Sequence, residues 1–247
     1  MQYLEYQPNT LLSPYIETYW TGNDFAGKEV FYKILPNGCV DIIFTLDKTN
    51  DVFYADIIGA TTSYLENSQP QTVQMFGIRF KPAGITAFTR VPIEELTNRR
   101  IDLALVETLF DKSFYEFLPE KQSLAEMITH FDNYLITRLS SLYYTDKQII
   151  RAVEFINFTK GQLSPSKVAC EVCLCPRHFE RKFKLAIGVS PKSYSKLIRF
   201  KHALRYLRSQ PHEDLLSVAI RCGYYDHTHL IKDFKTFSGN TPTDLRQ

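Results

Sequence analysis

Two stretches of similar sequence decide how the C-terminal part of this chain folds: VACEVCLCPRHFERKFKLAIG at residues 168–188 and VAIRCGYYDHTHLIKDFKTFSG at residues 218–239. Each begins with Val-Ala, passes through a tight turn, and continues with apolar residues four apart before a terminal glycine. Ser190-Pro191 follows the first stretch and Thr241-Pro242 follows the second. This pattern predicts a helix-turn-helix unit in each stretch, repeated about 50 residues apart.

Proline marks the helix starts of this region. Ser164-Pro165, Cys175-Pro176 and Ser190-Pro191 each place proline at a first helical position, where its missing N–H costs no hydrogen bond. Residues 191–208 predict a connecting helix of about 27 Å, which suits two recognition helices about 34 Å apart, one turn of B-DNA. The apolar side of this helix consists of Tyr194, Leu197, Ile198, Ala203, Leu204 and Leu207.

Charge divides the sequence near residue 144. Residues 1–144 hold 11 Lys and Arg against 18 Asp and Glu, whereas residues 145–247 hold 18 against 9. The densest basic stretch, Arg177–Arg208, has ten basic residues and a single acid, Glu180. This segregation predicts two domains, 1–144 and 145–247, and a basic domain of this size is a candidate for binding a polyanion.

The second unit carries the longer signature. It runs from Gly223-Tyr224-Tyr225-Asp226-His227-Thr228-His229-Leu230 through Phe234-Lys235 and Gly239-Asn240-Thr241-Pro242 to Leu245-Arg246. Residues 145–247, through this segment, resemble the DNA-binding domain of AraC/XylS-type transcription regulators. Within residues 1–110, Ile34–Asp41 and Gly77–Pro82 resemble a sensor-like domain found ahead of such DNA-binding domains. The resemblance implies a bacterial transcription regulator whose partners are promoter DNA and RNA polymerase, with a small-molecule effector and a second copy of the chain as further candidates.

Helical spacing predicts the exposed face of the second helix in the first unit. Phe179 and Phe183 lie four apart and are expected to be buried, so the remaining face meets solvent or DNA. Arginine can bond guanine O6 and N7, and glutamate can accept from cytosine N4. The alternative is a solvated charged helix. The candidate DNA-binding residues on this face are Arg177, Glu180, Arg181 and Lys184.

The same spacing applies to the second unit, where Leu230 and Phe234 are expected to be buried. On the remaining face, Ile231 suits a thymine methyl group and two lysines suit phosphates. The alternative is non-specific anchoring to the DNA backbone. The candidate DNA-binding residues on this face are His227, Thr228, Ile231, Lys232 and Lys235.

The N-terminal part predicts a β-rich domain, a mixed sheet or small barrel with helices, which makes the whole chain α+β. Phe31–Leu35 and Cys39–Phe44 flank Pro36-Asn37-Gly38, a strong hairpin signal, and further strands are expected at Val52–Ile58 and Thr72–Phe80. From 121 to 142 the apolar spacing changes to 3 or 4, which predicts a long helix that covers the sheet, pairs with a second chain, or does both. Its apolar residues are Leu124, Ile128, Phe131, Leu135, Leu139 and Leu142.

A candidate ligand site in this domain rests on two charges inside apolar, strand-like runs. Asp41 follows Val40, and Arg79 lies between Ile78 and Phe80. Two structural explanations are that alternation along the strand turns these residues outward, or that the two charges pair with each other. The functional hypothesis is that they form a polar anchor in an aromatic pocket with Tyr19, Trp20 and Tyr32.

Cysteines raise two alternatives. Cys170, Cys173 and Cys175 are three residues where a structural zinc site usually has four ligands, commonly in two spaced pairs, and they are interpreted as packing thiols. DNA-repair methyl acceptors carry a related DNA-binding domain, so a reactive Cys39 makes an alkyltransferase-like enzyme the competing function. Its neighbour Asp41 has the wrong charge to stabilise a thiolate. A non-specific structural DNA-binding protein is the third possibility.

Composition excludes several other classes. Hydrophobic residues are 44% and charged residues 23%, typical of a folded globular chain. No run approaches the roughly 20 apolar residues of a membrane-spanning helix, and the first residues have no secretory pattern. An odd number of cysteines, five, favours the cytoplasm over a disulfide framework. The sequence has no Gly-rich phosphate loop or nucleophile elbow, and residues 1–144 contain one histidine, His130, so we predict no catalytic residue, metal or cofactor.

Overall fold

The structure, a computed structural model, describes residues 2–23, 30–47, 50, 52–69, 73–106, 123–141, 143 and 145–246. The chain divides into two compact units. The first comprises 1–32, 39–60 and 67–145, and the second comprises 33–38, 61–66 and 146–247. The main division at residue 145 lies beside the predicted domain boundary, whereas two short segments of the N-terminal sequence belong to the second unit.

Strands dominate the N-terminal sequence. Six of them form an antiparallel sheet in the order β1-β2-β7-β4-β5-β8, and β3 with β6 forms a separate two-stranded sheet. The sheet is therefore antiparallel rather than mixed. The strands are β1 Gln2–Tyr6, β2 Ile16–Asn23, β3 Val30–Ile34, β4 Val40–Asp47, β5 Val52–Ile58, β6 Leu65–Gln69, β7 Val73–Phe80 and β8 Arg100–Asp102.

The predicted hairpin around Asn37-Gly38 is wrong. Gly38 does adopt a positive φ of 77°, but β4 pairs with β5 on one side and β7 on the other. Both edges of β4 are used, so β3 pairs with β6 instead. The strands predicted at 52–58 and 72–80 are confirmed as β5 and β7.

A helix, α1 (Leu124–Arg138), packs on one face of the six-stranded sheet. Phe131 and Leu135 are fully buried in a core with Phe44 and Phe76, and the Phe131 ring stacks 4.9 Å from each of those rings. Leu124, Ile128 and Leu139 pack against the same core, while Leu142 lies outside the described residues. The helix thus covers the sheet, one of the predicted roles.

Helices form the part of the second compact unit that follows residue 145. Ile149, Val153 and Ile156 in the first of them are buried, as their spacing predicts. Short 3-10 segments occur at Gly84–Ala87, Ile93–Leu96, Leu103–Leu105, Leu139–Ser141 and Thr243–Leu245. The helices after residue 145 are α2 Lys147–Phe158, α3 Pro165–Glu171, α4 Pro176–Ile187, α5 Pro191–Ser209, α6 Leu215–Arg221 and α7 His227–Ser238.

Candidate nucleic-acid interface

The two helix-turn-helix units consist of α3 with α4 and of α6 with α7. In the first turn Cys173 N–H donates to the Cys170 carbonyl at 3.0 Å and Leu174 N–H donates to Ala169 at 2.9 Å. Gly223 and Tyr224 make the equivalent bonds, 3.0 and 2.9 Å, in the second turn. Both turns are Schellman motifs, which close a helix with one residue of positive φ.

That residue differs between the units. Gly223 has φ 79°, which glycine adopts freely, whereas Cys173 has φ 56°. A non-glycine residue in the left-handed region costs roughly 1–2 kcal/mol. The first turn therefore keeps a cysteine at a position that favours glycine.

Aromatic and aliphatic side chains fix the second helix of each unit in its core. Phe179, Phe183, Leu230 and Phe234 are all buried, as predicted. The Phe183 ring lies edge-on to Phe179 at 5.4 Å and to Tyr194 of α5 at 5.6 Å. In the second unit the Phe234 ring meets Phe200 of α5 at 4.9 Å. The burial of these residues determines which face of α4 and α7 is available to a ligand.

The available face of α4 is strongly basic. Arg177, Glu180, Arg181 and Lys184 are exposed and follow the i, i+3, i+4, i+7 spacing of one helical stripe. The structure thus brings the four predicted residues of the first unit together.

A neighbouring lysine has a different role. Lys182 Nζ lies 2.7 Å from Asp146, the N-cap of α2, and donates to Gln148 Oε1 at 3.3 Å. Gln148 Nε2 in turn donates to the Val172 carbonyl in the first turn at 2.8 Å. This Gln148 bridge connects the first turn to α4 through polar contacts.

The available face of α7 is less basic. His227, Thr228, Lys232 and Lys235 are exposed, and Ile231 is half-buried. Asp233, an acid next to this face in sequence, is buried instead, and burial raises the pKa of its carboxyl against the opposing effect of the Lys196 and Arg199 charges. Asp233 therefore does not add an exposed negative charge beside the lysines.

Sequence reasoning missed Tyr225. The turn between α3 and α4 places two residues between the C-cap Val172 and the N-cap Cys175, whereas the second turn places three between Cys222 and Asp226. The additional residue is Tyr225, whose side chain is 89% exposed directly before α7. Alignment of the two stretches on their capping residues would have revealed it.

The connecting helix α5 packs against both units. It contains 19 residues, and its predicted apolar side is buried throughout. Arg199 Nη1 donates to the Gly223 carbonyl in the second turn at 3.0 Å. Because α5 contributes to the core of each unit and bonds the second turn, it holds the two units as parts of one domain.

Three of the candidate ligand residues of the N-terminal domain meet on the face of the sheet that α1 does not cover. Arg79 Nε donates to Asp41 Oδ1 at 2.9 Å, and Trp20 Nε1 donates to the same oxygen at 3.4 Å. The two charges thus pair, one of the predicted alternatives. Tyr19 does not join them: it lies on the opposite face, where its hydroxyl donates to Asp132 at 2.8 Å. The side chain of Tyr32 lies outside the described part of the structure.

Cys39 is buried and close to acids. Its thiol donates to Glu17 Oε2 at 3.3 Å. Burial, with the Glu17 and Asp41 charges, raises the pKa of the Cys39 thiol well above its usual range. This environment opposes the thiolate that an alkyl-acceptor enzyme requires.

The interpretation of the other clustered cysteines as packing thiols is wrong. Cys170, Cys173 and Cys175 are all exposed. The seven-residue helix α3 buries Val168 and Ala169, and Cys170 lies two residues beyond Val168, about 200° around the helix. Among the described residues, no group of three or more His, Cys, Asp or Glu side chains could hold a metal ion.

Comparison with known families agrees with this geometry. Residues 168–247 match a family model described as a helix-turn-helix domain, a range that begins within α3 and contains the rest of both units. Residues 4–102 match one described as a domain of unknown function, DUF6597. None of the curated proteins matches the chain. In the described part of the chain, no helix is both long and apolar enough to cross a membrane.

Several solved structures are similar to part or all of the chain. The C-terminal domain of AraT, a response regulator from Geobacillus stearothermophilus, is 25% identical with a TM-score of 0.39, over 41% of this chain and 84% of that one. A transcriptional regulator with an AraC-type DNA-binding domain from Chromobacterium violaceum is 24% identical with a TM-score of 0.37, over 40% and 88%. ToxT from Vibrio cholerae O395 is 13% identical with a TM-score of 0.41, over 98% and 95%.

Proposed function

We infer that this chain is a DNA-binding transcription regulator with a C-terminal helix-turn-helix domain of the AraC type. The observation that carries the inference is the pair of helix-turn-helix units, whose turns and second helices all lie within the matched residues 168–247. Each unit buries the apolar residues of its second helix and leaves a cationic face exposed. A single chain with two such faces is suited to two major-groove segments.

We propose that α4 reads bases. Arg177 and Arg181 bond guanine O6 and N7 through their guanidinium groups, and Glu180 accepts from cytosine N4. Lys184 lies on the same stripe and contacts phosphate. Exposure of all four side chains on one face of α4 supports this assignment.

The second recognition helix, α7, contributes more to affinity than to base reading. Lys232 and Lys235 neutralise phosphates and release counterions, which favours binding at low salt. His227 and Thr228 lie at its N-terminal end, where recognition helices approach base edges, and Ile231 contacts a thymine methyl group. The smaller number of arginines on α7 supports this division of roles.

The N-terminal domain gates DNA binding, either by binding a small molecule or by pairing two copies of the chain. The polar group of Trp20, Asp41 and Arg79 is the proposed anchor for an effector, because ligand sites combine apolar surface with a few converging polar groups. An effector acts by shifting the population of DNA-competent conformations. The regulator works in the bacterial cytoplasm, where promoter DNA and RNA polymerase are its partners.

The alkyltransferase alternative has less support. Its reactive thiol would be Cys39, which is buried beside Glu17. Incubation with methylated DNA followed by intact-mass measurement tests it directly, since alkyl transfer adds a methyl group to the protein. We expect no increase in mass.

Selection of duplexes from a random DNA library, followed by mapping of bound sites in the genome, tests the main proposal. We expect a motif with two conserved segments about one DNA turn apart. Equal affinity for all duplexes would instead identify a non-specific structural DNA-binding protein. The genes beside the mapped sites would also suggest the effector.

A further inference from the structure

Three exposed cysteines occur close together in sequence at the turn of the first helix-turn-helix unit. Cysteine is among the most frequently buried residue types, and Cys39 and Cys222 follow that preference. Cys170, Cys173 and Cys175 do not, although all three occur within six residues. The folding of the turn does not require thiols, because the second unit forms the same hydrogen bonds with Ile220 and Gly223. The exposed cysteines are therefore a property of the first unit alone.

Two of these cysteines are joined by a backbone hydrogen bond. The Cys173 N–H donates to the Cys170 carbonyl at 3.0 Å. A turn closed by such a bond holds its first and fourth Cα atoms within about 7 Å of each other. Disulfides span Cα separations of about 4.4–6.8 Å, so the backbone places the two cysteines at or near the separation that a disulfide requires. Their spacing is Cys-x-x-Cys, which is common in redox-active pairs.

We propose that Cys170 and Cys173 form a hydroperoxide-sensitive thiol pair that weakens DNA binding when it is oxidised. One thiolate attacks the hydroxyl oxygen of the hydroperoxide and breaks the O–O bond, so that its sulfur becomes a sulfenic acid. The other oxygen leaves as hydroxide or an alkoxide and is protonated to water or an alcohol. The second thiolate attacks the sulfenic sulfur, and the S–S bond forms as hydroxide leaves and is protonated to water. Two thiols are oxidised and one hydroperoxide is reduced. A dithiol reductant reverses the step by thiol–disulfide exchange.

The consequence for α4 follows from its position directly after this turn, since only Leu174 separates Cys173 from Cys175, the N-cap of α4. The Val172 carbonyl lies between the two cysteines in sequence and accepts from Gln148, which accepts in turn from Lys182 of α4. A disulfide holds the two Cβ atoms about 3.5–4.5 Å apart, and we infer that the turn, fixed by two backbone hydrogen bonds, reorganises to meet that separation. Reorganisation of the turn displaces the Cys175 N-cap and with it the start of α4, and loss of the Gln148 bridge accompanies this movement without being its cause. The effect on affinity rests on the proposed contact of α4 with DNA.

The test uses the full chain and a fluorescein-labelled duplex selected from a random library. Hydrogen peroxide should lower the intact mass by two hydrogen atoms, and peptide mapping should assign a Cys170–Cys173 disulfide. Fluorescence anisotropy should show that the oxidised protein binds DNA roughly tenfold more weakly than the reduced protein, and dithiothreitol should restore the affinity. Cys170→Ser and Cys173→Ser should bind DNA like the reduced wild type and lose the response to peroxide. Cys175→Ser, an exposed neighbour, should keep it.

The possible results separate this inference from the proposed function. Failure of the reduced protein to bind any duplex would refute the DNA-binding role and with it the effect on affinity, whereas mass spectrometry reports the disulfide independently. Absence of a Cys170–Cys173 disulfide after peroxide treatment would overturn the thiol pair. So would an oxidised protein that binds DNA as tightly as the reduced one, or a Cys170→Ser variant with the wild-type response. Circular dichroism of each variant checks that it is folded.

Discussion

Adjacent residues on α4 provide a matched test of the DNA-binding face. Replacement of Arg181 or of Lys182 by alanine removes one positive charge from the same helix, but the two side chains have different surroundings. Arg181 is exposed, whereas Lys182 is half-buried with its ammonium 2.7 Å from Asp146. If only the positive charge of α4 mattered, the two variants would lose DNA affinity equally. If the exposed face of α4 contacts DNA, only the Arg181 variant should lose affinity.

The expected magnitudes follow from these surroundings. A bidentate contact of Arg181 with guanine is worth about 1–3 kcal/mol of discrimination, so Arg181→Ala should weaken specific binding by roughly 5- to 150-fold. If Arg181 instead contacts phosphate, the slope of log K against log salt should fall by about 0.9. Lys182→Ala should leave both quantities nearly unchanged and should lower the free energy of unfolding by at most about 1 kcal/mol, because the pair with Asp146 is partly solvated.

Fluorescence anisotropy between about 50 and 200 mM salt measures affinity and its slope, and urea denaturation followed by circular dichroism measures stability. Specific and random duplexes distinguish base reading from phosphate contact. Equal losses of DNA affinity in the two variants would refute the assignment of the exposed stripe as the interface. A larger loss in Lys182→Ala than in Arg181→Ala would place the interface on another side of α4.

Three further predictions concern packing, the turns and thiol ionisation. Phe234→Ala should lower the free energy of unfolding, measured by urea denaturation, by about 3–5 kcal/mol. Phe158→Ala, which replaces a side chain that is 83% exposed, should change it by no more than about 0.5 kcal/mol. Similar losses in the two variants would contradict the packing described. Gly223→Ala should destabilise the domain by roughly 1–2 kcal/mol, because the φ of Gly223 is 79°. Cys173→Gly, at the equivalent position of the first turn, should not destabilise the domain; a loss of stability in this variant would show that the left-handed cysteine is unstrained. Burial raises the pKa of Cys222 to about 11, above its usual value of 9.0, so Cys222 should remain unreactive to iodoacetamide at pH 8 in the native chain. The free energy of unfolding should decline between about pH 9 and 11, because the thiol ionises first in the unfolded state. The same pH dependence in wild type and Cys222→Ala would exclude this cause.

The C-terminal domain could be predicted from sequence because its signals are local. Proline after a capping residue starts α3, α4 and α5, and apolar residues four apart predict the burial of Phe183 and Phe234. The exposure of Cys170 was missed because a helix of seven residues buries only a narrow side, and Cys173 and Cys175 lie in the turn beyond that helix. Tyr225 was missed because the two stretches were compared without aligning their caps.

The N-terminal domain was less predictable because its strands pair over long separations. The Asn37-Gly38 signal describes a turn, but the partner of β3 depends on β6 and on both edges of β4 being used. The candidate ligand residues illustrate a second limit. Tyr19 and Trp20 are adjacent on one strand and therefore face opposite sides of the sheet, which alternation alone could have indicated.

The single additional residue at Tyr225 makes the two units unequal. Tyr225 lies in the bend before α7, so the chain enters α7 through a longer turn than the one by which it enters α4. Two unequal helix-turn-helix units in one chain have no internal twofold symmetry, so a palindromic DNA sequence would not match both of them. On an asymmetric operator the bound protein would therefore have polarity: it would fit in one orientation only, with α4 always toward one end of the site and α7 toward the other.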